Sequence, residues 1–291
     1  MHISLDSALG REQRLNSLGE SVLQIAPSAK AAYSLRSLTG GDPKVVRVRR
    51  DTGGGAGDND EEDFTVSGIS SGALVNFVGS GNDGFVDTWY DQSGNGNDAE
   101  QATAGNQPKI VNAGALVVDS GIAGLDFASN EFLVASSVSG LESPFSLFST
   151  SVRDTTGYTG SFSKSSAANR YFGIQEATST ALAAARNSTS VSVSASVSGV
   201  DRLTFAVTTG ETSTSVGALG GTLANTTDDY GSDFTSGSGL DQLVIGVLRT
   251  VSPTGYFNGR LREIIFYTSD QSANRSAVET NTANYYNITL V

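Results

Sequence analysis

Acidic residues crowded into a short glycine-rich stretch can hold a hard cation, because Ca²⁺ takes carboxylate and carbonyl oxygens in a flexible shell. Residues 51 to 63 have that composition: Gly53-Gly54-Gly55 and Gly57 lead into Asp58, Asp60, Glu61, Glu62 and Asp63. Asp58, Asp60 and Asp63 are the candidate Ca²⁺ ligands. Their spacing is not that of an EF-hand loop, so a solvated tip is the competing reading. A second acidic stretch, Asp228-Asp229-Tyr230 with Asp233, carries the same two readings. Trp89-Tyr90-Asp91-Gln92-Ser93-Gly94-Asn95 offers a different chemistry. An exposed aromatic beside amide and carboxylate groups suits a sugar, which makes Trp89, Tyr90, Asp91, Gln92 and Asn95 candidate glycan contacts. The structural alternative has Asp91 and Ser93 bonding the backbone of their own turn while Trp89 packs beneath it. Arg47, Arg49 and Arg50 form the one basic cluster; period two divides them between strand faces, and the acidic loop that follows can pair with them.

Composition removes much other chemistry. The 291 residues include no Cys and a single His, His2, which excludes disulfides, thiolate nucleophiles, Cys/His zinc sites and a His-dependent serine triad. The net charge of -12 repels a nucleic-acid backbone or an anionic membrane from most of the surface, so neither is an expected partner. The first thirty residues contain Asp6, Arg11, Glu12, Arg14 and Glu20 and no continuous apolar run. They predict neither a signal peptide nor a membrane span, and synthesis in a cytoplasm.

Elements must position these residues, and most of them read as strands. Charged residues are only 16% of the chain while Gly numbers 34, a balance that suits short strands joined by turns. The one helical region lies within residues 1 to 42. Leu15, Leu18, Val22 and Ile25 recur at three- and four-residue steps and form an apolar stripe that Gly19 weakens and Pro27 ends. Pro27 then opens a second short helix through Ala31, Tyr33, Leu35 and Leu38, stopped by Gly40 and Gly41. The stripe is too short for a coiled coil; it either packs on its own domain or docks as an arm on a larger assembly. From Val45 onward the period is two. Val191, Val193, Ala195 and Val197 alternate with serines, and Leu203, Phe205, Val207 and Leu243, Ile245, Val247 repeat the pattern. Further strands are expected over Phe85 to Tyr90, Phe145 to Val152, Tyr171 to Gln175 and Tyr256 to Tyr267. Turns fall at Gly94-Asn95-Gly96 and Gly220-Gly221, and helices over Ser71 to Val78 and from Asp270, capped by Ser269 or Asp270, to about Tyr286. The pattern predicts an all-β fold: a two-sheet antiparallel β-sandwich over residues 31–291, with a helical N-terminal arm over 1–30 and a C-terminal helix.

Three segments carry a resemblance. Ala32-Tyr33-Ser34-Leu35-Arg36, Val45-Val46-Arg47-Val48-Arg49-Arg50 and Trp89-Tyr90-Asp91-Gln92-Ser93-Gly94-Asn95-Gly96-Asn97 resemble, in order, the N-terminal part of the arabinofuranosidase B catalytic domain. Gly259-Arg260-Leu261-Arg262-Glu263-Ile264-Ile265-Phe266-Tyr267, with a following helix ending at Asn284-Tyr285-Tyr286, looks like the final strand and helix of laminin-G-like, concanavalin A-like domains. The first resemblance implies two catalytic carboxylates. Strand order sets their places near Ala183-Ala184-Ala185-Arg186-Asn187 and near Gly246-Val247-Leu248-Arg249, and neither stretch holds an acid; Glu176 and Asp241 are the nearest. The family's neighbouring cysteine pair is missing as well.

The Trp-Tyr-Asp-Gln-Ser-Gly module behind a helical segment also looks like domains in structural proteins of tailed bacteriophages. That resemblance implies a non-catalytic virion component, a capsid decoration, head-fibre or tail-appendage protein. Its expected partners are other virion proteins, further copies of itself and cell-surface glycans, with no cofactor beyond Ca²⁺. The alternative is an arabinofuranosidase-like glycoside hydrolase. Fold alone does not choose between them, because function resides in a site.

Overall fold

A computed structural model describes residues 20–136, 138–177, 180–185, 189–194, 201–209, 213–219, 221–227 and 239–291. Helix α1 (Val22–Ile25) precedes strands β1 (Ala31–Ser34), β2 (Lys44–Asp51) and β3 (Glu61–Thr65). Two short helices, α2 (Val66–Ser70) and α3 (Ala73–Val78), lead into β4 (Asp83–Trp89). A run of short strands follows: β5 (Ala99–Glu100), β6 (Lys109–Asn112), β7 (Ala115–Leu116), β8 (Val118–Asp119), β9 (Ile122–Ala123), β10 (Leu125–Phe127) and β11 (Leu133–Ala135). The longer strands come next, β12 (Phe145–Thr155), β13 (Gly157–Lys164), β14 (Ala167–Glu176), β15 (Thr180–Ala185) and β16 (Thr189–Ser194). The series closes with β17 (Arg202–Thr209), β18 (Ser213–Ala218), β19 (Ala224–Thr227), β20 (Gln242–Ile245), β21 (Asn258–Tyr267) and helix α4 (Arg275–Tyr286).

Antiparallel pairing sorts the strands into two arms. One arm runs β16–β15–β14–β13–β20–β11–β5. The other runs β19–β18–β17–β12–β21, with β1 and β10 sharing the free side of β21, and continues through β6, β4, β2 and β3. Strand β4 also pairs with β5, Trp89 opposite Ala99, so the arms are the two halves of one folded-over ladder. A small separate hairpin is made by β8 and β9.

Alternation explains the fold. Phe162 and Phe172 on the first arm meet Phe145 and Phe266 on the second, with ring centroids 4.3 Å apart for Phe145–Phe162 and 5.3 Å for Phe162–Phe266. Leu147, Ile174, Leu243, Ile245, Leu261 and Ile264 fill the same interior. Burying these side chains removes about 1.5–3 kcal/mol each of unfavourable hydration, which drives the two arms together.

The reverse face of the second arm is apolar as well. Phe148, Phe205, Val207, Ile265 and Tyr267 lie there under Val278 of α4 and Val22 and Ala26 of the α1 segment. Helix α4 is tied down by a buried polar network: Arg36 pairs with Glu263 at 2.6 Å, and both reach Thr282 while Arg36 also donates to Asn281. The molecule thus has three layers, arm, arm and helices, which among the described residues leaves the reverse face of the first arm without a helix over it.

Several local expectations are corrected. Residues 31 to 34 form β1 against β21 rather than a second helix, because the alternation of Ala31 and Tyr33 with Ala32 and Ser34 gives the segment one face for each apolar layer. Val22, 1% exposed, and Ile25 pack on the chain's own second arm, so they are not docking residues; Leu15 and Leu18 lie outside the described residues. Helix α4 begins after Asn274, not at Ser269 or Asp270, because Asp270 spends its carboxylate on the Ser272 amide of a preceding turn. Ala195, Val197 and the Gly220 turn position also lie outside the described residues.

Candidate functional site

The Trp89–Asn97 turn is a clasp. Trp89 lies between β2 and β5 partners, is 0% exposed and sits 5.8 Å from the Tyr33 ring, so it cannot reach a ligand. Asp91 Oδ1 accepts from the amides of Ala32 at 2.9 Å and Ser93 at 2.8 Å, and Oδ2 accepts from Ser93 Oγ and the Asn97 amide. Gln92, buried, accepts from the Leu38 amide and donates to the carbonyls of Ser34 and Arg36. Asn95 donates to the carbonyls of Ala29 and Lys30, and Tyr90 Oη donates to Asp63. These groups fasten residues 29 to 38 to the β4–β5 connection. Their hydrogen bonds are made within the chain, and buried Trp89 is withdrawn from the glycan contacts that the sequence suggested.

The acidic stretch is likewise dispersed. Asp58 accepts from the Thr52 amide, Asp60 pairs with Arg50 at 2.5 Å, and Asp63 pairs with Arg47 at 2.8 Å and Lys44 at 2.9 Å. The hydrogen bond from Arg47 holds the Asp63 carboxyl well below the usual carboxylate range. Three carboxylates that face three different partners do not converge, and among the described residues no group of three His, Cys, Asp or Glu can hold a metal ion. The basic cluster therefore pairs with the acidic loop, as its sequence position implies. Asp228, Asp229, Tyr230 and Asp233 lie outside the described residues.

The places where the arabinofuranosidase resemblance expects carboxylates are in the first arm. Ala183 in β15 stands opposite Ile174, and Gly246–Arg249 directly follows β20. Glu176 is sealed at 0% exposure, ion-paired to Arg202 at 2.5 Å and bonded by Thr204. Asp241 accepts from the amide and hydroxyl of Ser165, both at 2.6 Å.

What gathers beside Gly246–Arg249 is aromatic and cationic. Strand β13 sends Phe162 inward, and β14 sends Phe172 and Ile174 inward, so Ser161, Ser163 and Tyr171 lie on the outer face of the first arm. A bulge at Thr159 puts Tyr158 on that face too, where it clusters with Tyr171 and Leu248. Gly255, with φ +69°, lies against the Tyr158 ring; a Cβ there would fall 2.7 Å from Cδ2. The chain from β20 to β21 is anchored by Ser161 Oγ donating to the Leu248 carbonyl at 2.5 Å. Arg249 extends from this loop with its Nε donating to the Val251 carbonyl at 3.1 Å. Thr250 donates to Gln242 alongside. Burial pushes both phenols up, Tyr158 to about 12, and the Arg249 charge pulls each of them back toward its ordinary value. Arg249 is thus electrostatically in touch with both tyrosines. Neither phenol hydroxyl has a protein partner among the described residues. The sequence singled out Gly246–Arg249 but not its union with Tyr158 and Tyr171, because Tyr158, Tyr171 and Arg249 are up to 91 positions apart.

A cavity of about 600 Å³ lies elsewhere, between the β8–β9 hairpin and the β10–β21 pair, lined by Asn112, Val118, Asp119, Asp126 and Arg260 among others. Arg260 bridges Asp119, at 2.8 Å, and Asp154. Asp126 has no hydrogen-bond or ion-pair partner among the described residues, and burial pushes its carboxyl up from the ordinary value.

No protein-family model matches the chain, and no curated protein matches it in sequence. Solved structures do. An arabinofuranosidase complexed with arabinofuranosyl-α-1,2-xylobiose superimposes with a TM-score of 0.68 at 14% identity over 91% of this chain and 64% of that one. A GH54 α-L-arabinofuranosidase soaked with a cyclic sulfate inhibitor gives 0.66 at 13% identity over the same shares. The chain therefore spans 64% of the length of these structures, and at such identity the likeness shows the fold. It also corrects the expectation of a chain that is not an enzyme. The architecture shared over nine-tenths of this sequence is one that glycoside hydrolases use, so the fold gives no ground for setting catalysis aside.

Proposed function

We propose that this protein is a carbohydrate-active β-sandwich that takes a glycan on the outer face of its first arm, at Tyr158, Tyr171 and Arg249. The observation that carries the reading is the patch itself: two tyrosines, each 9% exposed and with no hydroxyl partner among the described residues, beside the half-buried guanidinium of Arg249, on the face that no described helix covers. Sugars are recognised by that combination of aromatic surface and a few polar groups. The arabinofuranosidase that shares the fold was solved with an arabinose-bearing xylobiose, which makes pentose-containing oligosaccharides the first ligands to try. On a glycan array spanning neutral and acidic oligosaccharides, the chain binds at least one class, and Tyr171→Ala weakens that binding about tenfold. An array without hits, repeated at high protein concentration, would sink the reading.

A second reading, glycoside hydrolysis, draws on the cavity that holds Asp119 and Asp126, since the chemistry uses a pair of carboxyl groups. Its sign is release of 4-nitrophenol from 4-nitrophenyl α-L-arabinofuranoside, lost in Asp126→Asn and in Asp119→Asn. Turnover indifferent to both substitutions would place the chemistry elsewhere. The virion reading rests on the sequence resemblance, and any docking role would belong to residues 1–19. Deleting them would then abolish incorporation into particles while leaving the sandwich folded; normal incorporation would dispose of it.

A further inference from the structure

Arginine rarely goes without a carboxylate in a chain where 30 acids face 18 bases. Arg36, Arg47, Arg49, Arg50, Arg202, Arg260, Arg262 and Arg275 each pair with one. Arg249 does not. Its Nε is spent on the Val251 carbonyl, and its two terminal nitrogens have no acceptor among the described residues. The nearest acid in sequence, Asp241, is occupied by Ser165. Its side chain is only partly exposed and its guanidinium influences Tyr158 and Tyr171, so the charge is held over the patch rather than free to swing into water.

A planar guanidinium with its terminal donors open matches a carboxylate in bidentate geometry, and matches a neutral hydroxyl far less well. Partial burial strengthens that preference, because the charge is incompletely solvated before a ligand arrives. The neighbouring phenols, with burial raising their pKa values, stay protonated at neutral pH and add hydrogen-bond donors rather than negative charge. An anion thus meets a cation and two hydroxyl donors.

We infer that the Tyr158–Tyr171–Arg249 patch selects an acidic sugar, a glycan unit whose carboxylate lies against the two open nitrogens of Arg249. The inference rests on the glycan reading above and narrows its ligand class. It is tested by isothermal titration of the intact chain with trigalacturonic acid and with neutral α-1,4-linked galactotriose, which carries a C6 hydroxymethyl group in place of each carboxylate. The acidic trisaccharide binds at least tenfold more tightly, and the margin shrinks as salt rises. Arg249→Gln removes the margin, Arg249→Lys restores part of it, and both variants keep the wild-type melting temperature because Arg249 makes one main-chain bond. Equal affinity for the two trisaccharides overturns the acidic class and leaves glycan binding standing. So does a preference that survives Arg249→Gln and yields only to Tyr171→Ala. Binding of neither trisaccharide overturns the inference, and a glycan array without hits removes the reading beneath it too.

Discussion

At the scale of single residues, the same side-chain chemistry has opposite consequences according to where the chain turns it. Asp91 and Gln92 have the right types for a sugar contact, yet each is saturated by backbone groups, and that saturation is what clasps β1 to the β4–β5 connection. Asp126 is the reverse case, a carboxyl with no hydrogen-bond or ion-pair partner among the described residues, whose pKa burial raises. The unfolded chain, with the lower pKa, releases this proton first. Stability from this group is therefore fully present below about pH 4 and is lost as pH rises through the folded value. Asp126→Asn should raise stability near pH 7 and change it little near pH 4. Paired urea denaturation curves at the two pH values measure the difference; a gain equal at both would mean that ionisation is not its source.

At the scale of elements, a helix is held to the sandwich by a polar contact as well as an apolar one. Arg36, two residues beyond β1, and Glu263 in β21 are both buried, and around their ion pair Thr282 and Tyr286 of α4 complete the hydrogen bonding. A buried pair of this kind is costly to break from one side, because the remaining charge has no water to return to. Glu263→Ala should lower stability by about 3–5 kcal/mol, whereas Arg36→Met combined with Glu263→Met should cost distinctly less. Guanidinium denaturation of the three chains decides it. A double variant as unstable as the single one would show that packing, rather than the stranded charge, sets the cost.

At the scale of the whole molecule, two apolar surfaces on the second arm require two covers. The first arm covers one through Phe145, Phe162, Phe172 and Phe266, and α4 with the α1 segment covers the other over Phe148, Phe205, Ile265 and Tyr267. A chain ending at Tyr267 should expose that second surface, bind an anilinonaphthalene dye and self-associate, since monomers seldom leave apolar patches of several hundred Å² in water. A truncated chain that sediments as a dye-free monomer would show that α4 is not needed as a cover. The same division leaves Tyr158, Tyr171 and Arg249 on the side of the first arm that no helix covers among the described residues.

The amino-acid sequence by itself determined the layers. Alternation in Leu203–Val207 and Leu243–Ile245, the glycine-rich turns and the C-terminal run all encode local preferences, and strand period depends only on neighbours along the chain. It equally excluded cysteine chemistry, since absence of a residue needs no coordinates. Tertiary structure decided everything that turns on which groups meet. It made residues 31 to 34 a strand rather than a helix, because an inner and an outer apolar layer were both there to receive the segment's two faces. It sent Asp58, Asp60 and Asp63 to separate basic partners, and it closed the Asp91 turn upon itself. It alone brought Tyr158, Tyr171 and Arg249 together, because strand pairing between β13, β14 and β20 sets spatial distance independently of distance along the chain.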